Sequence, residues 1–423
     1  MAELRILVDS RRRVNSGIGR VSQWLSDHIG DSLQREIEVV HLVVDGPVSD
    51  YRFGTRTHVK TDIKPFSRGD LYELPHLVES AGCQLYVNPQ LSWSPFHVVP
   101  TINVVHDLWP VTNPNWLPST SDLMARFAID DLAYFEALDQ WFDQRRATAS
   151  LTPFGMEMWV KARTLDNMLL NACWAQFAAT VTLSARIVTV SQSVRENLQT
   201  YFLRGGEAVV IYNTPNRFPI TGDRCRKHIL VLSKLEERKN LDAFLRAYES
   251  YALQMSTRAL PLIIAGDPGY ASVASRILSH LADMRQRGSE VRFFASVTDK
   301  ELADLFRNSA MLVFPTHFEG FGLPPLEAML AEVPVLATAT GMMATELGRH
   351  ADLFDPGNQD ELVNKLCMLT ERQKSKNELL SAKRAVEEFI QKEDSVAKWA
   401  NLIRDLLRLH FERGHRDLGV EQK

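Results

Sequence analysis

Two glutamates bracket a glycine- and proline-rich run in Pro315-Thr316-His317-Phe318-Glu319-Gly320-Phe321-Gly322-Leu323-Pro324-Pro325-Leu326-Glu327. The run follows the apolar stretch Met311–Phe314, a strand candidate. Pro324 and Pro325 suit the first turn of a helix, where a missing N–H loses no partner. Gly320 and Gly322 let the backbone come close to a ligand. A helix N-terminus offers amides and partial positive charge to a phosphate or to hydroxyls. Glu319 falls in the loop and Glu327 about one turn into the helix, so the two carboxylates reach different parts of one ligand. Singly, each residue has a structural reading, because a glutamate or proline in a first helical turn is common. Together, in a strand–loop–helix context, they point to a binding site.

A second run, Ser233-Lys234-Leu235-Glu236-Glu237-Arg238-Lys239-Asn240-Leu241, follows another strand candidate and opens a helix. When a diphosphate leaves, it gains negative charge, and fixed cations aimed at it stabilise the transition state. Lys234 and Lys239 are the candidates, with Arg238 behind them. Such a charge run also reads as a solvated face. In the first half, Ile102–Val105 ends in His106-Asp107, and a lone histidine at a strand end is more often structural than catalytic. Ser16-Gly17-Ile18-Gly19-Arg20 invites a dinucleotide-binding reading, but Ser22 stands where the third glycine belongs. Seven residues separate Asp9 from Gly17, too many for a tight first turn.

Glu319 and Glu327, with Gly-Phe-Gly-Leu-Pro-Pro-Leu between them, resemble the hallmark of the family 4 retaining glycosyltransferases of GT-B fold, and the chain is similar to the bacterial mannosyltransferases among them. The resemblance implies that Glu319 touches the donor sugar and Glu327 holds the ribose. It implies further that Gly320, Phe321, Gly322 and Leu323 meet the sugar hydroxyls. Leu235-Glu236 and Arg238-Lys239-Asn240-Leu241 match the family's basic block, with Ser233 in place of glycine and Glu237 in place of proline. Lys234 fills the place of the family's Arg or Thr. His106 takes the place of the family's histidine near the donor sugar. Gly17 and Gly19 take the place of a loop facing the donor phosphates. Tyr212 stands where the family usually has proline. Glu319, His106 and Lys239 are thus the expected catalytic residues. Glu327, Lys234, Arg238, Gly320–Leu323, Gly17 and Gly19 are the expected donor contacts. The implied reaction is a hexosyl transfer, with retention, from a nucleotide-diphosphate sugar such as GDP-mannose to a glycan or lipid-linked acceptor. No metal and no cofactor beyond the donor are expected, and the sequence has no Asp-x-Asp motif. A nicotinamide-dependent oxidoreductase is one alternative, and a non-catalytic sugar-nucleotide-binding protein of the same fold is another.

The elements that must position these residues alternate along the chain. In the second half, strand candidates Ile229–Ser233, Leu262–Ala265, Val291–Ala295, Met311–Phe314 and Val333–Ala337 are separated by helical stretches at Leu241–Leu253, Ser272–Arg285 and Asp299–Arg307. Nearly all-apolar strands indicate a sheet covered on both faces, and strand–helix alternation indicates a parallel sheet with right-handed crossovers. The first half repeats the grammar at Arg5–Val8, Val39–Val44, Leu85–Val87, Ile102–Val105, Ile187–Val190 and Val209–Tyr212. Between them lies a helical segment whose Trp109, Trp116, Trp141, Phe142 and Trp159 are expected to fill a core. The expected fold class is α/β: two Rossmann-like, doubly wound parallel-sheet domains facing across a cleft. A Pro- and Gly-containing stretch, Asn213–Asp223, sets the expected boundary. The domains are then 1–216 on the acceptor side and 217–392 on the nucleotide-sugar side, with 393–423 a helix returning to the first.

Bulk properties agree with this. At 423 residues the chain exceeds the ~250–300 at which one core stops growing. A formal net charge of −4 argues against nucleic acid as a partner. Cys83, Cys173, Cys225 and Cys367 form no Cys-x-x-Cys pair, which speaks against a zinc site or disulfide framework and for a reducing, cytoplasmic location. The uncharged run Asn167–Ala185 carries too many polar residues for a membrane span and reads as a buried helix leading into a strand. Arg11-Arg12-Arg13 is a candidate patch for peripheral contact with the inner face of a membrane, though three adjacent arginines also suit a solvated loop.

Overall fold

A computed structural model describes residues 4–11, 17–33, 37–44, 57–90, 92–129, 132–145, 150–165, 167–372 and 374–418. The chain forms two compact units. One comprises Met1–Leu117, Phe127–Tyr212 and Asp394–Lys423, the other Pro118–Arg126 and Asn213–Glu393.

The first unit holds a seven-stranded sheet of β1 (Leu4–Asp9), β2 (Ile37–Val44), β3 (His58–Thr61), β4 (Leu85–Asn88), β5 (Thr101–Val105), β6 (Arg186–Thr189) and β7 (Val209–Val210). Its order is β3-β2-β1-β4-β5-β6-β7, and every pairing is parallel. The second unit holds β8 (His228–Leu232), β9 (Leu262–Ala265), β10 (Val291–Phe294), β11 (Ser309–Phe314), β12 (Val335–Thr338) and β13 (Asp352–Phe354). Their order is β10-β9-β8-β11-β12-β13, again all parallel. In each sheet the strand order reverses once, between β1 and β4 and between β8 and β11. Ligands in open α/β sheets bind beyond the carboxyl ends of strands at such reversals.

The second sheet is covered on both faces, as its apolar strands require. Ile229 and Val231 of β8, Ile264 of β9 and Met311 and Val313 of β11 are fully buried. Phe244, Tyr248 and Tyr251 from the helix Leu241–Met255 and Ile277 and Leu281 from the helix Ala271–Gln286 join the same core. In the first unit, the helix Met168–Leu183 is buried along most of its length and leads into β6. No helix among the described residues is long and apolar enough to cross a membrane.

The structure departs from the sequence expectations at several places. Strands β3 and β13 are additions: His58-Val59-Lys60-Thr61 alternates polar and apolar residues, and Asp352–Phe354 has only three residues. Both are sheet edges, where one neighbour suffices and an apolar run is not needed. Strand β7 stops at Val210 rather than Tyr212. Trp141 and Phe142 are core residues, whereas Trp109, Trp116 and Trp159 are only half-buried. The units divide at Tyr212/Asn213, and Pro118–Arg126 falls in the second. There Asp122 accepts hydrogen bonds from Ser272 N and Oγ at 3.1 and 2.6 Å, and Arg126 pairs with Asp267 at 2.7 Å. The terminal helix Ser395–Leu418 belongs to the first unit. Ser395 Oγ donates to the Tyr212 carbonyl at 2.7 Å, and Trp399 and Ile403 are buried.

Candidate functional site

The basic run leaves β8 and bends at once. Glu236 precedes a short 3-10 turn, Glu237–Lys239, and Asn240 follows in the left-handed conformation before the helix Leu241–Met255 begins. This turn is stitched to the loop after β11. The Arg238 carbonyl accepts from His317 N at 2.9 Å and from Thr316 Oγ1 at 3.0 Å. Because β8 and β11 are neighbours, the two motifs found far apart in sequence meet at the strand-order reversal.

Their side chains form one buried ionic cluster. Glu319 Oε1 accepts from Arg238 Nη1 at 3.1 Å and from Lys239 Nζ. Glu236 binds Arg238 Nε through Oε2 at 3.1 Å and lies 3.6 Å from Lys234 Nζ through Oε1. Lys239 Nζ also sits 5.6 Å from the centre of the Phe314 ring, within cation–π range. Three cations against two carboxylates leave one net positive charge. Side-chain exposures of 10–14% for Lys239, Arg238, Glu319 and Glu236 mean that water screens it little. Burial opposes the charge on Glu236, but Lys234, Arg238 and Lys239 overcome it and bring the carboxyl down to about 2. Burial likewise opposes the charge on Glu319, and Lys239 and Arg238 prevail in holding its carboxyl below the usual range. Lys239 moves down from the ordinary lysine value, through burial first and the neighbouring Arg238 second, against the pull of Glu319 and Glu236. The cluster as a whole keeps its excess of positive charge in a poorly hydrated setting.

The glycine loop is held from behind. Glu319 N donates to Thr340 Oγ1 at 2.8 Å, and Met342 N donates to the Phe321 carbonyl at 2.7 Å. Gly322, at φ +87°, caps the helix Leu323–Leu330, whose first turn carries Pro324 and Pro325 and has no side-chain cap. Gly341, at φ +54°, lies so near that a Cβ there would stand 2.4 Å from the Phe321 carbonyl oxygen. Glu327, buried on that helix, accepts from Asn216 N at 3.4 Å.

The structure therefore brings together Glu319, Lys234, Arg238 and Lys239, with Gly320–Leu323 and Glu327 on the same loop and helix. Arg238 does not stand behind the lysines. It bridges the two carboxylates. Sequence reasoning missed Glu236, Thr316, Thr340 and Gly341 as site residues. In sequence, Glu236 is part of the matching basic block but has no role of its own. The available signal for the others was position, since Thr316 and Thr340-Gly341 follow the apolar ends of β11 and β12.

Other expected residues lie in the first unit. His106 follows β5, half-buried, with Nε2 2.8 Å from the Pro89 carbonyl. A carbonyl only accepts, so Nε2 carries the proton and the ring orientation is fixed. Gly17 and Gly19 are not in a loop: they stand in the first turn of the helix Gly17–Leu33. Arg11 is no membrane patch. It is 3% exposed, paired with Asp9 and Asp70 at 2.7 Å each, and Tyr86 Oη donates to Asp9 at 2.7 Å. A guanidinium buried between two carboxylates has no charge left for a lipid surface. Arg12 and Arg13 lie outside the described residues.

Comparison with known proteins agrees with this geometry. Residues 215–386 match the family model of the group 1 glycosyl transferases. Around this segment, the two parallel sheets give the GT-B architecture of glycosyltransferases. The sucrose-phosphate synthase of Thermosynechococcus elongatus superposes with a TM-score of 0.64 at 14% identity, covering 96% of this chain and 100% of that one. Anabaena Alr3699/HepE, solved in complex with UDP and glucose, gives 0.61 at 14% identity, over 96% and 100%. Among curated proteins, the O-antigen chain mannosyltransferase B of Escherichia coli is 32% identical over 136 residues, 32% of this chain and 34% of that protein. The serotype-specific mannosyltransferase WbdA of Escherichia coli is 26% identical over 265 residues, 62% and 28% respectively. The chain thus spans about a third or less of the length of these two relatives.

Proposed function

We propose that this protein is a retaining hexosyltransferase that moves a sugar from a nucleotide-diphosphate donor to a glycan or lipid-linked acceptor. The observation that carries the proposal is the buried pairing of Arg238 and Lys239 with Glu319, flanked by Lys234 and Glu236, at the strand-order reversal between β8 and β11. In this reading Lys239 and Arg238 take the diphosphate, and Glu327 takes the ribose. The Gly320–Leu323 backbone and Glu319 take the sugar hydroxyls. As the anomeric carbon–oxygen bond breaks, negative charge grows on the leaving phosphate, where low-dielectric, prearranged cations act most strongly. The acceptor hydroxyl attacks the same face, and its proton passes to the leaving phosphate oxygen, so the configuration is kept. Glu319 is committed to the cations and the sugar and is not cast as a nucleophile. No metal and no further cofactor enter the scheme, because side chains balance the phosphate charge.

Mannose as the sugar is supported by relatives named as mannosyltransferases, and GDP as its carrier follows the family resemblance alone. We place the reaction in the cytoplasm; the acceptor is a glycan, or a lipid-linked glycan that would be reached by peripheral contact with the membrane. The test is a thermal-shift screen of nucleoside diphosphates and their sugars, followed by turnover with the best donor. Stabilisation by one nucleotide sugar, loss of turnover in Lys239→Ala and an unchanged anomeric configuration in the product are expected. Full turnover in both Lys239→Ala and Glu319→Ala would overturn the assignment.

A further inference from the structure

We propose that the Glu319 carboxylate and a donor diphosphate are rivals for the same two cations, so that the site prefers a nucleotide still carrying its sugar over the spent nucleoside diphosphate. The inference rests on the donor site proposed above and deepens it.

Glu319 Oε1 holds Arg238 Nη1 at 3.1 Å and Lys239 Nζ, the groups that face a leaving phosphate. A diphosphate that approaches them meets a carboxylate already in contact. Two anions cannot share these buried cations without strong repulsion, so one must turn away. The backbone of Glu319 is not free to retreat. Its N–H is tied to Thr340 Oγ1 at 2.8 Å, and Gly341 lies close against its Cβ. The exchange is therefore a rotation of the Glu319 side chain.

Of the two cations, Arg238 is kept in place during the exchange by Glu236. It grips Arg238 at Nε, so that Nη1, which also donates to the Phe318 carbonyl at 3.2 Å, can exchange Glu319 for phosphate, and it flanks Lys234 at 3.6 Å. The adjacent Glu237 takes no part in this grip, because it points away to Arg276 at 2.7 Å.

A carboxylate displaced from two cations needs new hydrogen-bond donors, since a buried charge without them is costly. Sugar hydroxyls are such donors. A nucleotide sugar thus supplies both halves of the exchange, phosphate for the cations and hydroxyls for Glu319. A bare nucleoside diphosphate supplies only the first. Glu319 weakens the product more than the donor.

The experiment is isothermal titration of the full chain with GDP, UDP, GDP-mannose and UDP-glucose, in wild type, Glu319→Gln, Glu319→Ala, Glu327→Gln and Lys239→Ala. For the pair that wild type binds, both Glu319 variants are expected to hold the nucleoside diphosphate about tenfold more tightly than wild type. Their affinity for the matching nucleotide sugar is expected to be equal or weaker, and turnover is lost. Glu327→Gln is expected to weaken both ligands together. If wild type binds and Lys239→Ala does not, but neither Glu319 variant tightens the diphosphate, the rivalry is refuted while the donor site stands. If wild type binds none of the four ligands, the donor-site reading falls and takes the rivalry with it.

Discussion

Gly341→Ala tests whether the glycine loop is held by its backing residues. At φ +54° an alanine carries a left-handed penalty of ~1–2 kcal/mol. Its Cβ would lie 2.4 Å from the Phe321 oxygen, where real contacts stay beyond 3.0 Å, so the loop must move by at least 3.0 − 2.4 = 0.6 Å. The movement lengthens the 2.7 Å bond from Met342 N to that oxygen and adds ~1–3 kcal/mol of overpacking. The sum is about 2–5 kcal/mol, or a fall in Tm of about 5–15 °C for a unit of this size. The shift also displaces Phe321 and, through the 3.2 Å approach to its Cβ, Glu319. A misplacement near 1 Å can lower kcat/KM by about 10²-fold. Scanning calorimetry and steady-state transfer kinetics on the same preparations measure both effects. A variant with wild-type Tm and kcat/KM within twofold of wild type would show that Gly341 does not set the loop, and the reasoning would fail.

Other consequences follow from named groups. Glu236 titrates near 2 in the folded chain against 4.5 as a free group, so its stabilisation is fully present above pH 4.5 and is lost as pH falls through about 2. The difference is about 3 kcal/mol, and Glu236→Gln should flatten that part of the acid limb in denaturant titrations; parallel limbs would contradict the placement. His106→Ala should lower kcat ~10²-fold while leaving nucleoside diphosphate affinity within threefold, because His106 lies in the first unit; equal losses in both would refute a role in the transfer step. Arg11→Met leaves Asp9 and Asp70 as buried carboxylates without their cation, so about 3–5 kcal/mol should be lost from the first unit, seen as a lower first transition in calorimetry; a wild-type thermogram would refute the ion triad.

Much of this protein is written in local pattern. The all-apolar runs at β8, β9 and β11 determine strands buried on both faces, because only such strands are apolar on every side. Gly322 followed by Pro324 and Pro325 determines where a helix starts, because φ +87° favours glycine and proline suits a first turn. Residue type and spacing, helped by family resemblance, singled out Glu319, Glu327, Lys234, Arg238 and Lys239 as candidates, and the fold sets them on adjoining segments of one unit. Edge strands β3 and β13 were not, since an edge needs only one neighbour and leaves little apolar signature.

Tertiary structure decided which charges face which. Lys239 and Glu319 are 80 positions apart and meet only because β8 pairs with β11. Glu236 and Glu237 are alike and adjacent in the chain, yet one turns inward to Arg238 and the other outward to Arg276. Arg11 looked like a surface cation until Asp70, on a helix 59 positions later, enclosed it. Spacing along a chain fixes periodicity and turns. Burial and charge pairing depend on what the fold brings from elsewhere, and they are what turn a charged run into a buried ionic cluster.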